Sequence, residues 1–188
     1  MNKKRCHWCG NDPQYISYHD NEWGVPLHDD QALFEFLVLE SFQAGLSWIT
    51  VLRKREDFRE AFDFFDIEKV SHYAEAKIQS LMDNEKIIRN RPKIEAAINN
   101  AQKVLEIQNE FYSFDSFLWE NVDGKPIQNT NTDASEVSNK TELSEKLSKD
   151  LKKRGFKFIG PTTAYAFMQA VGMVNDHVEE CFRNEELQ

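Results

Sequence analysis

No apolar run in this sequence approaches the roughly 18 residues that a membrane-spanning helix requires. The opening residues, MNKKRCHWCGND, are basic but lack the apolar stretch of a secretory signal. The expectation is therefore a cytoplasmic protein with no membrane partner. Cysteine is scarce. The three present, Cys6, Cys9 and Cys181, are too few for a disulfide framework and read as thiols or metal ligands in a reducing compartment. Strand-like alternation of useful length is missing, as are internal repeats and low-complexity tracts, which leaves little basis for a sheet or a solenoid. Positive charge is also in short supply. With 23 Lys and Arg against 32 Asp and Glu, the net charge of -9 argues against a protein that clings to nucleic acid everywhere. The average hides one exception, LKKRGFK from Leu151 to Lys157, with four positive charges in seven residues. With so few cations, any phosphate binding there should depend only weakly on salt.

What is present is helix. A chain of 188 residues suits a single domain over 1–188 and can bury roughly two thirds of its unfolded surface. Asp12-Pro13 and Asp29 are start signals, the second ahead of the apolar run to Gly45. Ser47 is placed to cap a helix through WITVLRKREDFREAF, and Asp66 to start two short ones. Arg91-Pro92 opens an amphipathic helix with Ile94, Ala97, Ile98, Ala101, Val104 and Leu105 at helical spacing. Ser113 opens another, residues 124–140 read as a loop, and Thr141 caps the helix that ends in the basic segment. The fold class is all-α.

Three groups of residues carry possible chemistry. In HVEEC, His177 and Cys181 are four apart, which places both on one face of a helical turn at metal-ligand spacing. Cys6 with either His19 or Cys9 would complete a tetrahedral sulfur and nitrogen site joining the two chain ends, and four protein ligands would make such a zinc site structural. A buried thiol beside a hydrogen-bonded core histidine is the competing reading. The second group is LKKRGFKFIGPTTAYAFMQAVG, two helices joined by a turn between Gly155 and Gly160. Backbone amides of the turn and of the helix opening at Pro161-Thr162-Thr163 could take a phosphate, with Lys152, Lys153, Arg154 and Lys157 adding charge. Cations that merely complement their own helix dipole are the plainer alternative.

The third group is aromatic: Trp8, Tyr15, Tyr18, Trp23 and Trp48. Such density usually means core, yet stacked aromatics are also how proteins hold a base taken out of a helix. Within LFEFLVLESFQAGLSWITVL, Glu40 is surrounded by apolar residues and reads as buried. An isolated ionised carboxylate there costs several kcal/mol unless it is paired or protonated. Arg53 or Lys54 is the structural partner the sequence offers, and beside the aromatics a carboxylate would favour a cationic or amino-bearing base.

Taken together, DPQYISYHDNEWGVP, LESFQAGLSWITVL, LKKRGFKFIGPTTAYAFMQA and VNDHVEEC resemble the DNA-3-methyladenine glycosylase I family, in order and over nearly the whole chain. The resemblance implies a helix-hairpin-helix glycosylase fold and a DNA repair enzyme acting on double-stranded alkylated DNA as a monomer. It would hydrolyse the N-glycosidic bond of 3-methyladenine after flipping the base. By the same resemblance the zinc ligands fall on Cys6, His19, His177 and Cys181, with Cys9 outside the family pattern. Base recognition falls on Glu40, stacking on Tyr18 and Trp48, and the remaining pocket wall on Tyr15, Trp8 and Trp23. Leu46 matches an apolar wedge, and the DNA-binding hairpin covers Lys153, Arg154, Gly155, Lys157, Gly160 and Thr162. Asp176, beside His177, reads as a helix cap or a support to the metal site, since the family is regarded as lacking a catalytic aspartate there. The rival functions are a non-catalytic hairpin protein that binds or senses damaged DNA, and a zinc hydrolase with one ligand missing.

Overall fold

The structure is a computed structural model and describes residues 3–133 and 135–188. Among the described residues, eleven α-helices account for nearly all regular structure, in line with the all-α expectation. Asp12 and Asp29 accept backbone N–H groups at the starts of α1 (Pro13–Asn21) and α2 (Asp30–Gln43). The helix expected from Trp48 to Phe62 is broken into α3 (Trp48–Leu52) and α4 (Arg55–Ala61). A tertiary contact supplies the reason: the Leu52 carbonyl accepts from the Gln14 side chain (3.1 Å), and the Lys54 N–H turns back to Val51 (2.9 Å). Ser47 meets the Thr50 hydroxyl (2.7 Å) and does not cap the backbone.

Asp66 caps α5 (Ile67–Ser71), which α6 (Glu75–Asp83) follows, and Asn90 caps α7 (Arg91–Phe111). Ser113 caps α8 (Phe114–Trp119), and Thr141 with Ser144 forms a reciprocal capping box on α9 (Glu142–Lys153). The chain continues through α10 (Pro161–Ala170) to the short α11 (Phe182–Glu186). One feature departs from the helical reading. Inside the expected loop, β1 (Ile127–Gln128) pairs in parallel with β2 (Val174–Asn175). Two residues are too few to show an alternating pattern.

At the centre lies α2, buried at every residue from Leu33 to Phe42 and packed against α3, α7, α8 and α10. It carries two buried glutamates with different surroundings. Glu35 is held by Arg55 (2.6 Å) and Arg59 (2.9 Å), a paired arrangement that makes a buried charge tolerable. Glu40 has no such pair: Arg53 goes to Asp12 (2.6 Å) and Lys54 to the Lys86 carbonyl (2.6 Å). The last turn of α2 is fixed from α7, where the buried Lys93 ammonium donates to the carbonyls of Phe42 and Ala44, both at 2.9 Å. A cation there satisfies two carbonyls left open by the helix end and opposes its dipole.

Lys93→Met should therefore destabilise the protein by about 1.5–3 kcal/mol, the range for hydrogen bonds to a charged group, in a thermal or urea unfolding experiment. An unchanged midpoint would mean that the end of α2 needs no such support.

Candidate active site and metal cluster

Between α1, α2, α3 and α10 lies a cavity of about 310 Å³ lined by Trp8, Tyr15, Tyr18, Trp23, Glu40 and Trp48, all six of the residues that the sequence assigned to a pocket. Each arrives from a different local cause. Trp8 sits on a single 3-10 turn, Tyr15 and Tyr18 on one face of α1, Glu40 on α2, and Trp48 at the first turn of α3. The rings form a continuous wall: Trp8 meets Tyr15 at 4.9 Å and Trp23 at 5.0 Å between centroids. Tyr18 and Trp48 lie 5.4 Å apart at 46°, whereas two rings sandwiching a flat ligand need about 7 Å, twice a van der Waals contact. In this conformation the two rings leave no room for a flat ligand between them.

Four buried side-chain nitrogen or oxygen atoms lack a hydrogen-bond partner among the described residues, and three are in this pocket: the indole nitrogens of Trp8 and Trp48, and Glu40 Oε2. Unsatisfied buried polar atoms are rare in native proteins, and three together describe the complement of a polar ligand. Burial alone pushes the Glu40 carboxyl up to about 8, so near neutral pH it is mostly protonated. Tyr15 and Tyr18 face it and are themselves pushed above the ordinary phenol value, chiefly by burial, so no nearby phenolate competes.

At the pocket's edge, the ligand atoms of Cys6, His19, His177 and Cys181 lie within 4.8 Å of one another, and all four residues are buried. The sulfurs approach the imidazole nitrogens at 3.4 Å, close to the ~3.6 Å edge of a tetrahedron built from Zn–S and Zn–N bonds of normal length. Both rings present the correct nitrogen. His19 Nδ1–H donates to Asp20 (2.8 Å), itself gripped by Arg5 (2.7 and 2.8 Å), which leaves Nε2 as the unprotonated nitrogen; its lone pair here accepts from the Cys6 N–H (3.2 Å) and points into the cluster where a metal would bind. His177 Nε2–H donates to the Trp23 carbonyl (3.0 Å), leaving Nδ1. A hydrogen bond from Cys6 holds Cys181 well below the ordinary thiol range while pushing Cys6 up, so one thiolate ligand is already favoured. The donor set fits zinc.

Two expectations about this cluster change. His177 and Cys181 are brought together by a tight turn, closed by Cys181 N–H to the Val178 carbonyl (2.8 Å), and not by a helix. Cys9 stands outside: its thiol donates to the Cys6 carbonyl (3.1 Å), and His19 completes the four. Close approach also explains Gly24, whose φ of +80° suits glycine and where a Cβ would lie 3.2 Å from His177 Nε2.

The hairpin forms as expected. Gly155 (φ +91°) ends α9, with Phe156 N–H returning to Leu151 and Gly155 N–H to Lys152, and Gly160 precedes α10. Buried Asn100 pins the turn at both sides of Lys157 (2.8 and 3.0 Å). Lys153, Lys157 and Thr162 are exposed, but Arg154 is engaged by Glu110 (2.6 Å) and lies over Phe111 and Phe117. Leu46, 43% exposed, stands just after Gly45 between α2 and α3.

Sequence reasoning missed Gln43, Ala166, Gln169 and Asp176 as pocket residues. Gln43 was within reach, one helical turn beyond Glu40; the others depend on how α10 packs. Asp176 neither caps a helix nor supports the metal cluster by hydrogen bonding. It accepts from Asn129 (2.7 Å), Asn131 (3.1 Å), Tyr165 (2.7 Å) and Gln169 (2.8 Å), tying residues 129–131 to α10.

A sequence model of the family described as methyladenine glycosylase matches residues 8–184. The DNA-3-methyladenine glycosylase of Haemophilus influenzae is 51% identical over 177 residues, covering 94% of this chain and 96% of that protein. A crystal structure of 3-methyladenine DNA glycosylase I superposes with a TM-score of 0.93 at 49% identity, covering 95% of this chain and 98% of that one. A tyrosine-to-phenylalanine variant of 3-methyladenine DNA glycosylase I, in complex with 3-methyladenine, superposes with a TM-score of 0.93 at 42% identity and 98% coverage of both chains.

If the four-residue cluster holds the metal, Cys9→Ser should purify with zinc equimolar to protein, while Cys181→Ser should lose the metal and melt at lower temperature. Elemental analysis with thermal unfolding checks both; retained zinc in Cys181→Ser would contradict the assignment.

Proposed function

The chain belongs to the DNA-3-methyladenine glycosylase I family, and we propose how its pocket carries out the family's reaction, hydrolytic release of 3-methyladenine from alkylated DNA. The observation that carries the reading is Glu40 Oε2, buried and without a partner among aromatic rings. Methylation at N3 gives the base a positive charge while it is still bonded to the sugar. That charge supplies the partner Glu40 lacks, and the carboxyl releases its proton to solvent as the base enters. The indole N–H groups of Trp8 and Trp48 are free to donate to ring nitrogens, while Tyr15, Tyr18 and Trp23 complete the wall.

Discrimination follows from charge. The displacement of the Glu40 pKa to about 8 corresponds to a penalty on the order of 5 kcal/mol on its ionised form. A cation offsets that penalty; unmodified adenine does not, and its amino group and ring nitrogens are ones any adenine presents. The methylated base is already a good leaving group, so selective capture of the flipped nucleotide can supply much of the rate.

Around this pocket the other assignments take their places. Leu46 fills the gap left by the flipped nucleotide, and the hairpin from Gly155 to Gly160, with Lys153, Lys157 and Thr162, holds the backbone of duplex DNA. Arg154 shapes the hairpin through Glu110 and its charge is partly spent there. Cys6, His19, His177 and Cys181 hold a structural zinc that fixes the segment carrying Trp8 against α1; four protein ligands leave no place for water, so the ion takes no part in hydrolysis. The chain acts as a monomer, one domain over 1–188 in the cytoplasm; its three free, buried cysteines suit a reducing compartment. Among the described residues no helix is long and apolar enough to cross a membrane.

Glu40→Gln should cut the excision of 3-methyladenine from methylated duplex DNA by roughly 100-fold or more, as expected for losing a charged interaction of about 3 kcal/mol. The same variant has a stability signature. Because the folded pKa lies above the unfolded value, the folded state binds more protons between about pH 4.5 and about 8, and the wild type loses stability as pH rises through that window. Glu40→Gln should lack this loss, so its advantage in melting temperature should grow from pH 5 to pH 8. Wild-type excision by a folded Glu40→Gln protein would end the proposal.

A further inference from the structure

A second cavity, of about 210 Å³, adjoins the aromatic pocket and shares three of its residues: Glu40, Gln43 and Ala166. Glu40 and Gln43 are one turn apart on α2, and Ala166 faces them from α10, where its short side chain leaves the seam between the helices open. From the seam the second cavity runs to Leu46 and to Thr162 and Thr163 in the first turn of α10. The carboxylate that faces the base therefore also faces a separate, more polar space on the side of the wedge and the hairpin. The other carboxylate in the aromatic pocket, Asp176, does not reach that space and has both oxygens occupied by four donors, so it has no lone pair to spare for a water.

We propose that this second cavity is the subsite for the deoxyribose and the attacking water, with the Gln43 side-chain amide orienting the water and Glu40 accepting its proton. The proposal rests on the assignment of the aromatic pocket to the base. With the base on one side of the seam, C1′ lies at the seam itself. The water oxygen bonds to C1′ as the C1′–N9 bond breaks, and the electron pair of that bond leaves with the base. The base departs as neutral 3-methyladenine, a hydroxyl remains on C1′, and one proton must be placed. Glu40 is ionised only while the cation is beside it. As the base becomes neutral the carboxylate loses its counter-charge, and burial, which drives its pKa up to about 8, makes it the natural acceptor at neutral pH. One group thus senses the charge before bond cleavage and absorbs it afterwards. Gln43 cannot take the proton, but its amide can both accept from and donate to the water.

The test uses the full-length, metal-loaded protein. Gln43→Ala should bind free 3-methyladenine as the wild type does, by tryptophan fluorescence, yet excise it in a single turnover about 100-fold more slowly, the scale of effect for a misplaced reactant. A further readout needs no variant: in water–methanol mixtures the wild type should form less methyl glycoside than the solvent ratio dictates, because its nucleophile is held in a built site, while Gln43→Ala should approach that ratio. Wild-type excision by Gln43→Ala, or methyl glycoside at the solvent ratio from the wild type, would overturn the water subsite. Loss of 3-methyladenine binding in Gln43→Ala would also overturn it, by placing Gln43 in base recognition. Normal base binding and excision by Glu40→Gln would instead remove the underlying assignment of the pocket.

Discussion

Glu40 is kept in place by a helix that cannot move away from it. Because α2 is buried on all sides and packed against four other helices, a residue on it cannot swing into water, and the Lys93 ammonium fixes the turn that follows. Elsewhere on the same helix Glu35 meets two arginines, so the chain is able to satisfy a buried carboxylate where burial is only structural. At Glu40 it does not. Ionisation of Glu40 in this surrounding is costly, and a proton or a ligand that brings positive charge removes that cost. In the proposed function, recognition of a charged lesion, rejection of the ordinary base and placement of the released proton all rest on that one condition.

The surrounding wall depends on the two chain ends being joined. Trp8 belongs to a short turn of three residues and packs on Tyr15, Tyr18, His19 and Trp23, and Trp23 rests against His177 at 4.6 Å between ring centroids. Cys6 lines the pocket and belongs to the metal cluster as well, so the cluster and the aromatic wall are parts of one arrangement. A metal here would act through position, by holding Trp8 and Tyr18 in the wall of the pocket. The Asp20–Arg5 pair behind His19 extends that arrangement outward from the pocket.

Much of this was readable from local chemistry. Asp12, Asp29, Asp66, Ser113 and Thr141 marked helix starts because a cap and its N–H partners are three residues apart or fewer. The six residues named for a pocket from residue type, spacing and family resemblance line one cavity, and the four named as metal ligands lie within 4.8 Å of one another. What the sequence hid depends on partners far along the chain. The break between α3 and α4 is tied to a contact from Gln14, the two-residue ladder joins residue 127 to residue 174, and Arg154 finds Glu110 in another helix. Asp176 looked like a cap or a metal support because its four donors come from residues 129–131 and from α10. Cys-x-x-Cys spacing made Cys9 a plausible ligand, and only the fold turns its thiol towards a carbonyl.

The most direct measurement is the titration of Glu40 itself, by carbon-13 NMR of its side-chain carboxyl. In the free protein the resonance should titrate near pH 8. Saturation with 3,9-dimethyladeninium, which carries the cationic charge without a sugar, should lower that midpoint by at least ~2 pH units, whereas neutral 3-methyladenine should lower it far less. An ordinary carboxylate titration in the free protein, or a midpoint that the cation leaves unchanged, would contradict the account of Glu40 as a buried carboxyl that ionises beside its cationic partner.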